Sequence, residues 1–460
     1  MARTPTRRSP APSAFPASSI SRRQMLAGAG ALLGVSAVLA ACGDDDDTSP
    51  TSASVGGTTP TPGTAGTTTG GGGGGTATGT LTLGSNYSDA VPAAALAAMI
   101  AGFPNKNVDV KVNTVDHNTF QENITNYLQQ PDDVITWFAG YRLQYFAAQG
   151  VLGDISDVWG GLTGFSEGFK AASTGEDNKQ YLVPLYNYPW AVHYRPSFFE
   201  EKGYAVPSTL DELMGLADQM MTDDVTPFSL GNDGKWPAMG TFDILNMRIN
   251  GYQFHVDLMA GDGDWTSDEV KAVFAAFGDL LPFHQSGPNG RTWQEAATAM
   301  KSGETGMMLL GTFVSEQFAD SLDDLDFFPF PAINDEYGTD SIDAPIDGFM
   351  MAAAPKNEEA AKELLAYLGT GEAAIAFLTE NPGSVAASTE ADTSGYTALQ
   401  EKSAELISST ANIAQFLDRD TNPEFASNVM GDALADFLAD PGSIDSILDD
   451  VEARKQAIFE

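Results

Sequence analysis

The sequence contains one pentapeptide of the kind that holds a catalytic serine. Residues 164–168 read Gly-Phe-Ser-Glu-Gly, which matches the G-x-S-x-G pattern in which Ser166 would attack an acyl carbon. That chemistry needs a buried strand before the serine and a helix after it. Residues 159–163 read Trp-Gly-Gly-Leu-Thr, which is not the pattern of a buried strand. We therefore reject a serine hydrolase.

Other spacings that carry chemistry are missing. The H-x-x-x-H spacing of a zinc site does not occur among the four histidines, which are His117, His193, His255 and His284. Residues 262–264 read Asp-Gly-Asp but do not continue into a calcium loop, and no phosphate loop or dinucleotide fingerprint occurs. We expect that the protein binds no metal, uses no cofactor and is not an enzyme. A glycosidase stays open as an alternative, because 62 acidic residues offer many carboxylate pairs and none is singled out.

Composition narrows the class of protein further. The chain has 460 residues and a formal net charge of −39, which argues against nucleic acid as a partner because phosphate backbones need clustered Lys and Arg. It has one Cys, so no disulfide framework and no Cys-based zinc site can form. Its hydrophobic content of 42% is enough for sizeable cores. The acidity itself bears on solubility more than on fold.

The N-terminus has the pattern of an export signal. A basic region containing Arg22 and Arg23 precedes an apolar run at residues 26–40, which is too short to span a bilayer comfortably. Residues 21–26 resemble a twin-arginine motif, and residues 39–42 resemble a lipobox that ends at Cys42. We predict a signal peptide over residues 1–41 and a lipid on Cys42. The alternative is an unmodified Cys behind an ordinary signal.

A flexible tether is predicted after the signal. Residues 42–79 are rich in Gly, Thr, Ser and Asp, include a run of glycines at 70–75, and have no apolar periodicity. Such a segment cannot bury enough surface to offset its ordering entropy. We expect an exported protein held by its lipid on the outer face of a bacterial cell membrane.

From residue 80 onward the patterns predict an α/β fold. Strands are predicted from alternating or continuous apolar runs at residues 81–83, 108–112, 134–138 and 306–310. Helices are predicted at residues 90–103, 119–130, 141–149, 209–221, 267–281, 293–302 and 358–368. Capping boxes are predicted at Thr209–Glu212 and in residues 266–269. Because single cores stop growing near ~250–300 residues, two lobes are preferred over one.

Several segments in order resemble a known family. Its markers are matched at residues 131–137, 183–194, 203–213, 303–313 and 355–361. The chain resembles the extracellular solute-binding proteins of bacterial ABC importers, in the carbohydrate-binding family 1 that is related to maltose-binding proteins. The resemblance implies a type II periplasmic-binding-protein-like fold with two lobes that close by a hinge on a ligand. It implies a sugar as ligand, permease subunits as partners, a monomer, and no covalent chemistry.

The same resemblance sets the expected lobes. Lobe 1 would hold residues 80–187 and 325–384, and lobe 2 would hold residues 188–324 and 385–460. The ligand would lie between them, as ligands often do at domain interfaces.

Aromatic side chains are the first candidates for a sugar site, since they cover the CH faces of a sugar ring. Tyr186, Tyr188 and Trp190 alternate, so they are expected on one face of a strand, either against the ligand or packed on the sheet. Trp137 ends a buried strand and faces either the cleft or the core. The turn-rich loop at 231–237 offers Trp236 and Asp233 as contacts.

Further candidates come from the resemblance. Gly311 and Phe313 match a family segment that often has Trp in place of Phe313, and Asp347 begins a family strand that lines the cleft. Gly140 stands where relatives place an acidic contact, so Tyr141 or Arg142 is expected to replace it. Asn86, Tyr87 and Asp89 are interpreted as ligand contacts or as a plain turn, and residues 418–420 as a solvated turn. A polyamine or peptide stays open as the ligand in place of a sugar.

Overall fold

The computed structural model describes residues 76–459. The predicted signal peptide, Cys42 and most of the predicted tether lie outside these residues. Ala77 is buried, and the hydroxyl of Thr76 donates to Glu359 at 2.7 Å, so the last residues of the predicted tether pack on the folded body. No helix in residues 76–459 combines the length and the apolar character needed to cross a membrane.

Twelve strands are present in the described part of the chain. In order they are β1 (Gly79–Ser85), β2 (Val108–Thr114), β3 (Val134–Phe138), β4 (Leu182–Asn187), β5 (Trp190–Tyr194), β6 (Thr226–Phe228), β7 (Thr305–Gly311), β8 (Asp326–Phe328), β9 (Ser341–Asp343), β10 (Ile346–Met351), β11 (Val385–Ala386) and β12 (Asn412–Ala414). They form a six-stranded sheet in the order β11-β4-β10-β3-β1-β2, a four-stranded sheet in the order β6-β7-β5-β8, and a two-stranded sheet of β12 and β9.

The α-helices surround these sheets. They are α1 (Ala90–Gly102), α2 (His117–Tyr127), α3 (Tyr141–Ala148), α4 (Ser156–Trp159), α5 (Glu167–Ala172), α6 (Pro196–Lys202), α7 (Leu210–Thr222), α8 (Pro237–Asn250), α9 (Tyr252–Met259), α10 (Asp268–Leu280), α11 (Trp293–Ser302), α12 (Glu358–Leu368), α13 (Gly371–Leu378), α14 (Ala398–Ser409), α15 (Leu417–Asp420), α16 (Gly431–Ala439) and α17 (Ile444–Phe459). Short 3₁₀ turns and one π-helical segment complete them, at Leu281–Phe283, Pro288–Gly290, Thr312–Phe318, Leu322–Asp324, Thr393–Gly395, Phe425–Met430 and Pro441–Ser443.

The six-stranded sheet is the centre of lobe 1. β1 pairs in parallel with β2 and β3, whereas β10 runs antiparallel between β3 and β4. β3, β4 and β10 are buried at every residue, which explains their continuous apolar sequences. Helices α1 and α13 pack together beside this sheet.

The four-stranded sheet is the centre of lobe 2, with α8 and α11 packed on β7. Its last strand differs from the predicted lobe boundaries. β8 pairs with β5 in this sheet, although residues 325–384 were expected in lobe 1, and β11 pairs with β4 in the first sheet, although residues from 385 were expected in lobe 2. Both strands are short and carry no local signal of the sheet they join.

The chain crosses between the lobes directly after β4. Tyr188 and Pro189 separate β4 from β5, and these two strands belong to different sheets. The prediction that Tyr186, Tyr188 and Trp190 share one strand is therefore wrong. The two other crossings include β9 and β12, whose parallel pairing makes a small sheet beside the lobe junction.

Helix caps follow the sequence with one exception. Thr209 and Glu212 form the reciprocal capping box predicted for α7, and Asn357 caps α12. The box predicted in residues 266–269 does not form. Ser267 caps α10 by accepting from the Val270 amide, and the hydroxyl of Thr266 donates to Asp264 instead. The helix begins one residue later than the box requires, which leaves no Glu or Gln at the third position.

Candidate functional site

A cavity lies between the two large sheets, and both lobes line it. The space that the centre of a water molecule can reach in it is about 90 Å³. A single water needs roughly 10–15 Å³ by this measure, so the cavity holds a solute the size of several waters. That is the scale of one sugar ring rather than of a long oligosaccharide.

The walls of the cavity are aromatic. Trp190 stacks on Phe416, with ring centroids 5.0 Å apart and planes 16° apart. Trp236 meets Trp190 edge-on at 6.4 Å and lies 5.9 Å from Phe313. Tyr188 meets Phe313 at 88° and 5.4 Å. Each ring is held by another, so flat apolar faces are fixed in place before any ligand arrives.

The polar floor is organised around Arg419. Its guanidinium lies 3.8 Å from the Phe138 ring centroid, with Nη1 2.5 Å from Oδ1 of Asp347. Nη2 donates to the Tyr188 hydroxyl at 3.1 Å, and the Tyr186 hydroxyl donates to Oδ2 of Asp347 at 2.9 Å. The Arg419 and Asp347 side chains are each only 7% exposed, so this is a buried, hydrogen-bonded ion pair.

A second buried ion pair supports the first. Asp418 lies 3.7 Å from Nη1 of Arg142 and 3.6 Å from Nε of Arg419. Arg142 also donates to the side chain and the backbone of Gln121, at 3.0 and 3.1 Å. The charges of two carboxylates and two guanidinium groups are therefore balanced on this side of the cavity.

Burial shifts the pKa values of several ionisable groups at the cavity. Desolvation raises the pKa of the Asp347 carboxyl above its usual range, and the Arg419 charge opposes this. Desolvation, followed by the Arg419 charge, lowers the pKa of His117 to about 4, so its ring is neutral near pH 7. On the opposite side, desolvation and then the charge of Asp89 raise the pKa of Glu316 well above its usual range.

Several buried polar atoms at the cavity have no hydrogen-bond partner among residues 76–459. They are Oη of Tyr87, Nε1 of Trp190, Oε2 of Glu316, Oδ1 of Asn381, Oδ1 of Asp418 and Nε of Arg419. Buried polar groups nearly always form hydrogen bonds, because a buried group without a partner has lost its bonds to water and gained nothing in return. Polar side chains beside flat aromatic faces suit a ligand rich in hydroxyl groups.

The lobes also contact each other directly around the cavity. Nε1 of Trp236 donates to Asn118 at 3.2 Å, and Gln294 donates to the carboxylate of Asp89 at 3.2 Å. The Thr312 hydroxyl donates to the Gly383 carbonyl at 2.5 Å. These bonds join the two lobes on several sides, so the structure describes a closed form.

Half of the predicted contacts line this cavity. They are Tyr186, Tyr188, Trp236, Phe313 and Asp347. Trp190 lines it too, as do Asn86, Tyr87 and Asp89, for which a plain turn was the alternative.

The other predicted contacts lie elsewhere. Trp137 is fully buried in the lobe 1 core, between Phe120 and Phe146, which corrects its placement at the cleft. Asp233 is exposed on its loop, because the turn directs Trp236 inward instead. Tyr141 begins α3 and does not line the cavity.

Arg142 and Gly311 support the cavity from behind. Arg142 reaches it only through Gln121 and Asp418. Gly311 stands against the aromatic wall, where a Cβ atom would lie 2.9 Å from the Tyr188 ring and closer still to Phe313. Both therefore act on the candidate site through residues that line it.

Arg419, at the centre of the polar floor, was not predicted as a ligand contact from the sequence. Residues 418–420 were interpreted as a solvated turn, but Asp418 and Arg419 are 6% and 5% exposed and line the cavity. A signal was present, since only six arginines follow residue 80 in a strongly acidic chain. Local patterns gave no indication of His117, Gln121, Trp293, Glu316, Asn381, Ser384 or Phe416.

We predict that Gly311→Ala weakens ligand binding roughly ten- to a hundredfold, which corresponds to the free-energy cost of forcing an extra methyl group into a packed site. The new methyl group must displace the rings of Phe313 and Tyr188, which form the aromatic wall. Titration calorimetry with the solute that the wild-type protein binds measures the loss of affinity. Gly215→Ala is the matched control, because a Cβ atom there meets nothing within 4 Å. An unchanged Kd for Gly311→Ala would contradict the role given to these two rings.

Comparison with known proteins gives a consistent result. Residues 84–375 match the family model described as bacterial extracellular solute-binding protein. The crystal structure of the bacterial solute receptor AcbH, described as having an exclusive preference for β-D-galactopyranose, superposes with a TM-score of 0.80 at 45% identity. That match covers 83% of this chain and 99% of AcbH.

More distant matches agree in fold. A chitin oligosaccharide binding protein superposes with a TM-score of 0.75 at 18% identity, covering 83% of this chain and 99% of its own. An uncharacterized ABC transporter extracellular-binding protein of Pyrococcus horikoshii, PH1214, is 26% identical over 291 residues, which is 61% of this chain. The matched segment spans 64% of that relative, somewhat less than two thirds of its length.

Proposed function

The chain belongs to the family of bacterial extracellular solute-binding proteins, and from this premise we propose that it is an exported receptor for one small neutral sugar, which it delivers to an ABC importer. The observation that supports this most directly is the cavity of about 90 Å³ between the lobes, which has aromatic walls and polar lining residues. Rings cover the CH faces of a pyranose, and the polar lining residues meet its hydroxyl groups.

The sugar class follows from cavity size and from the AcbH match. A cavity of this volume takes a monosaccharide, and AcbH, at 45% identity, is described as preferring β-D-galactopyranose. We propose a hexopyranose of this kind as the solute. Binding selects the closed form, in which Trp236 of lobe 2 and Asn118 of lobe 1 already touch.

No bond of the sugar is expected to break. Asp347 is committed to Arg419 and Tyr186, and Asp418 to the two arginines. These two carboxylates are therefore not available as the acid and nucleophile of a glycosidase, and the matched family is one of solute-binding proteins. We expect the sugar to be recovered intact after binding, and this recovery tests whether Asp89 and Glu316, which also line the cavity, act as a catalytic pair.

A second candidate solute is a small organic cation. Asp89 and Glu316 face the side of the cavity away from Arg419, and neither has an ion-pair partner in the part of the chain that the structure describes. The raised pKa of Glu316 favours its neutral carboxyl, which suits a hydroxyl group better than an ammonium group. The sugar is thus the stronger proposal.

The experiment is a thermal-shift screen followed by calorimetry. The panel contains β-D-galactose, other monosaccharides, galactosides of two or more rings, spermidine and short peptides. A solute at a hundred times its Kd adds about 2.7 kcal/mol to the free energy of unfolding, which raises Tm visibly. A rise with one monosaccharide, recovered uncleaved, supports the proposal. A rise with spermidine or peptides alone, or with longer galactosides alone, would refute it.

Membrane attachment is the remaining part of the proposal. The twin-arginine and lipobox patterns of residues 21–42 support export and lipidation of Cys42, and a monomer anchored in this way could reach the permease. Cys42→Ser should move the protein from the membrane fraction to the medium or periplasm without changing its affinity for the solute. Retention of the variant in washed membranes would argue against a lipid on Cys42.

A further inference from the structure

Three side chains that could bind a metal converge where two helices of lobe 2 meet the small sheet at the lobe junction. Asp243 is on α8, His255 is on α9 and Asp343 ends β9. One donor atom from each lies within 4.8 Å of the other two. The side chains are fully buried, with exposed fractions of 0%, 1% and 0%. Local sequence spacing could not relate them, which is why no metal site was expected.

Three of the four carboxylate oxygens in this cluster lack hydrogen-bond partners in the part of the chain that the structure describes. Neither oxygen of Asp343 has a hydrogen-bond partner among residues 76–459, and the same holds for Oδ1 of Asp243. Oδ2 of Asp243 accepts from the Leu417 amide at 2.7 Å. An ionised carboxylate taken out of water without a partner is strongly disfavoured, and two together repel each other.

The nearest buried cation does not supply hydrogen bonds to these carboxylates. Arg248 on α8 donates Nε to the Phe330 carbonyl at 3.0 Å and Nη1 to the Ser341 carbonyl at 2.6 Å. Both of these hydrogen bonds go to backbone carbonyls, so neither of them satisfies a carboxylate of the cluster. Asp420 adds further negative charge near Asp243 and Asp343.

We propose that Asp243, His255 and Asp343 bind a divalent metal cation, with Zn²⁺ as the ion that fits best. Two carboxylates neutralise the charge of one divalent cation, and unpaired oxygens supply its ligand atoms. An imidazole donor favours Zn²⁺ over Ca²⁺ and Mg²⁺, which prefer sites made of oxygen alone.

The neighbour of His255 sets the proton arrangement that binding needs. Nδ1 of His255 lies 3.2 Å from the side-chain amide nitrogen of Asn246. For Nε2 to bind metal, Nδ1 must carry the ring proton and Asn246 must turn its amide oxygen toward it. Asn246 Oδ1 accepts from Asn250 at 2.9 Å, so metal binding through Nε2 also requires the Asn246–Asn250 pair to rearrange.

Such an ion would tie the small sheet at the lobe junction to lobe 2. Asp343 lies on β9, which pairs with β12, while Asp243 also holds the first residue of α15. The next residues of α15 are Asp418 and Arg419, which form the floor of the cavity. Metal loss is therefore expected to lower stability first and solute affinity second.

The test uses the exported protein purified without a histidine tag. It is stripped with a chelator, dialysed, and reloaded separately with Zn²⁺, Mn²⁺, Ca²⁺ and Mg²⁺ before elemental analysis and thermal unfolding. We expect one Zn²⁺ per chain and a rise in Tm on the order of 5 °C at a hundredfold excess over its Kd. No retained ion and no rise in Tm with any of the four would overturn the proposal.

Variants separate a metal site from a buried acid cluster. Asp343→Asn should remove the Zn²⁺-dependent rise in Tm, and His255→Gln should do the same if the first variant fails to fold. Asp340→Asn, at an exposed acid three residues earlier, is the matched control. If no metal binds, Asp343→Asn relieves repulsion, so an apo Tm equal to or above wild type with the same response to Zn²⁺ would refute the site. The outcome is independent of which solute the cavity takes.

Discussion

Arg419→Met is expected to abolish solute binding and to lower the free energy of unfolding by about 3–5 kcal/mol. Arg419 joins Asp347, Tyr188 and Asp418 in a region from which water is excluded. Its removal leaves Asp347 buried without its charge partner and Asp418 with Arg142 alone, which is the costliest way to break a buried pair. Calorimetry gives the affinity, and denaturant unfolding gives the stability.

A second variant separates the two effects. Asp347→Asn combined with Arg419→Met removes both charges, so stability should recover in part while binding stays lost. Arg195→Met is the control, because the Arg195–Asp324 pair is about one quarter exposed and far from the cavity lining. That change should cost about 1 kcal/mol or less and leave affinity unchanged. A normal Kd in Arg419→Met would contradict the assignment of the floor.

Trp236→Ala is expected to weaken binding about a hundredfold, in the range of an aromatic hot spot at a closed interface. The indole packs against Trp190 and Phe313 and donates to Asn118 across the cleft. Its loss removes a stacking face and one bond between the lobes, so both the contact with the sugar and the closed form suffer. The Kd of the solute is the measurement.

Graded and control changes test this role for Trp236. Trp236→Phe keeps a ring but loses the donor to Asn118, so its cost should be about 0.5–1.5 kcal/mol, smaller than that of the alanine variant. Trp137→Phe alters a tryptophan buried in the lobe 1 core and should lower stability without changing affinity. Equal losses of affinity for Trp236→Ala and Trp137→Phe would show that the effect is general destabilisation.

Local structure could be predicted because its causes are local. The continuous apolar residues of β3 and the cap at Thr209 depend on near neighbours, so pattern and propensity suffice. Sheet membership of β8 depends on pairing with β5, more than 130 residues earlier in the chain, and nothing in residues 326–328 records it. Two lobes were therefore predicted, but not where each strand belongs.

The residues of the candidate site likewise divide into those that local sequence could locate and those that it could not. Tyr186 and Tyr188 adjoin the crossing between the lobes, so proximity to one recognisable segment located them. Trp137 was misplaced because a strand buried on both faces gives no signal of which face meets the cleft. Arg419 was interpreted as solvated because charged residues are mostly exposed, and its partner Asp347 is 72 residues away.

The position of β10 in its sheet has a consequence for how the protein is made. β10 lies between β4 and β3, yet both neighbours are complete at residue 187 and β10 begins only at residue 346. At about 5–20 residues per second, the ribosome needs on the order of ten seconds to supply it. During that time one edge of β3 and both edges of β4 stay unpaired, while the four strands of the lobe 2 sheet are made in full by residue 328. An export route that carries folded chains, as the Arg22–Arg23 pair predicts, would let this gap close in the cytoplasm before the protein leaves.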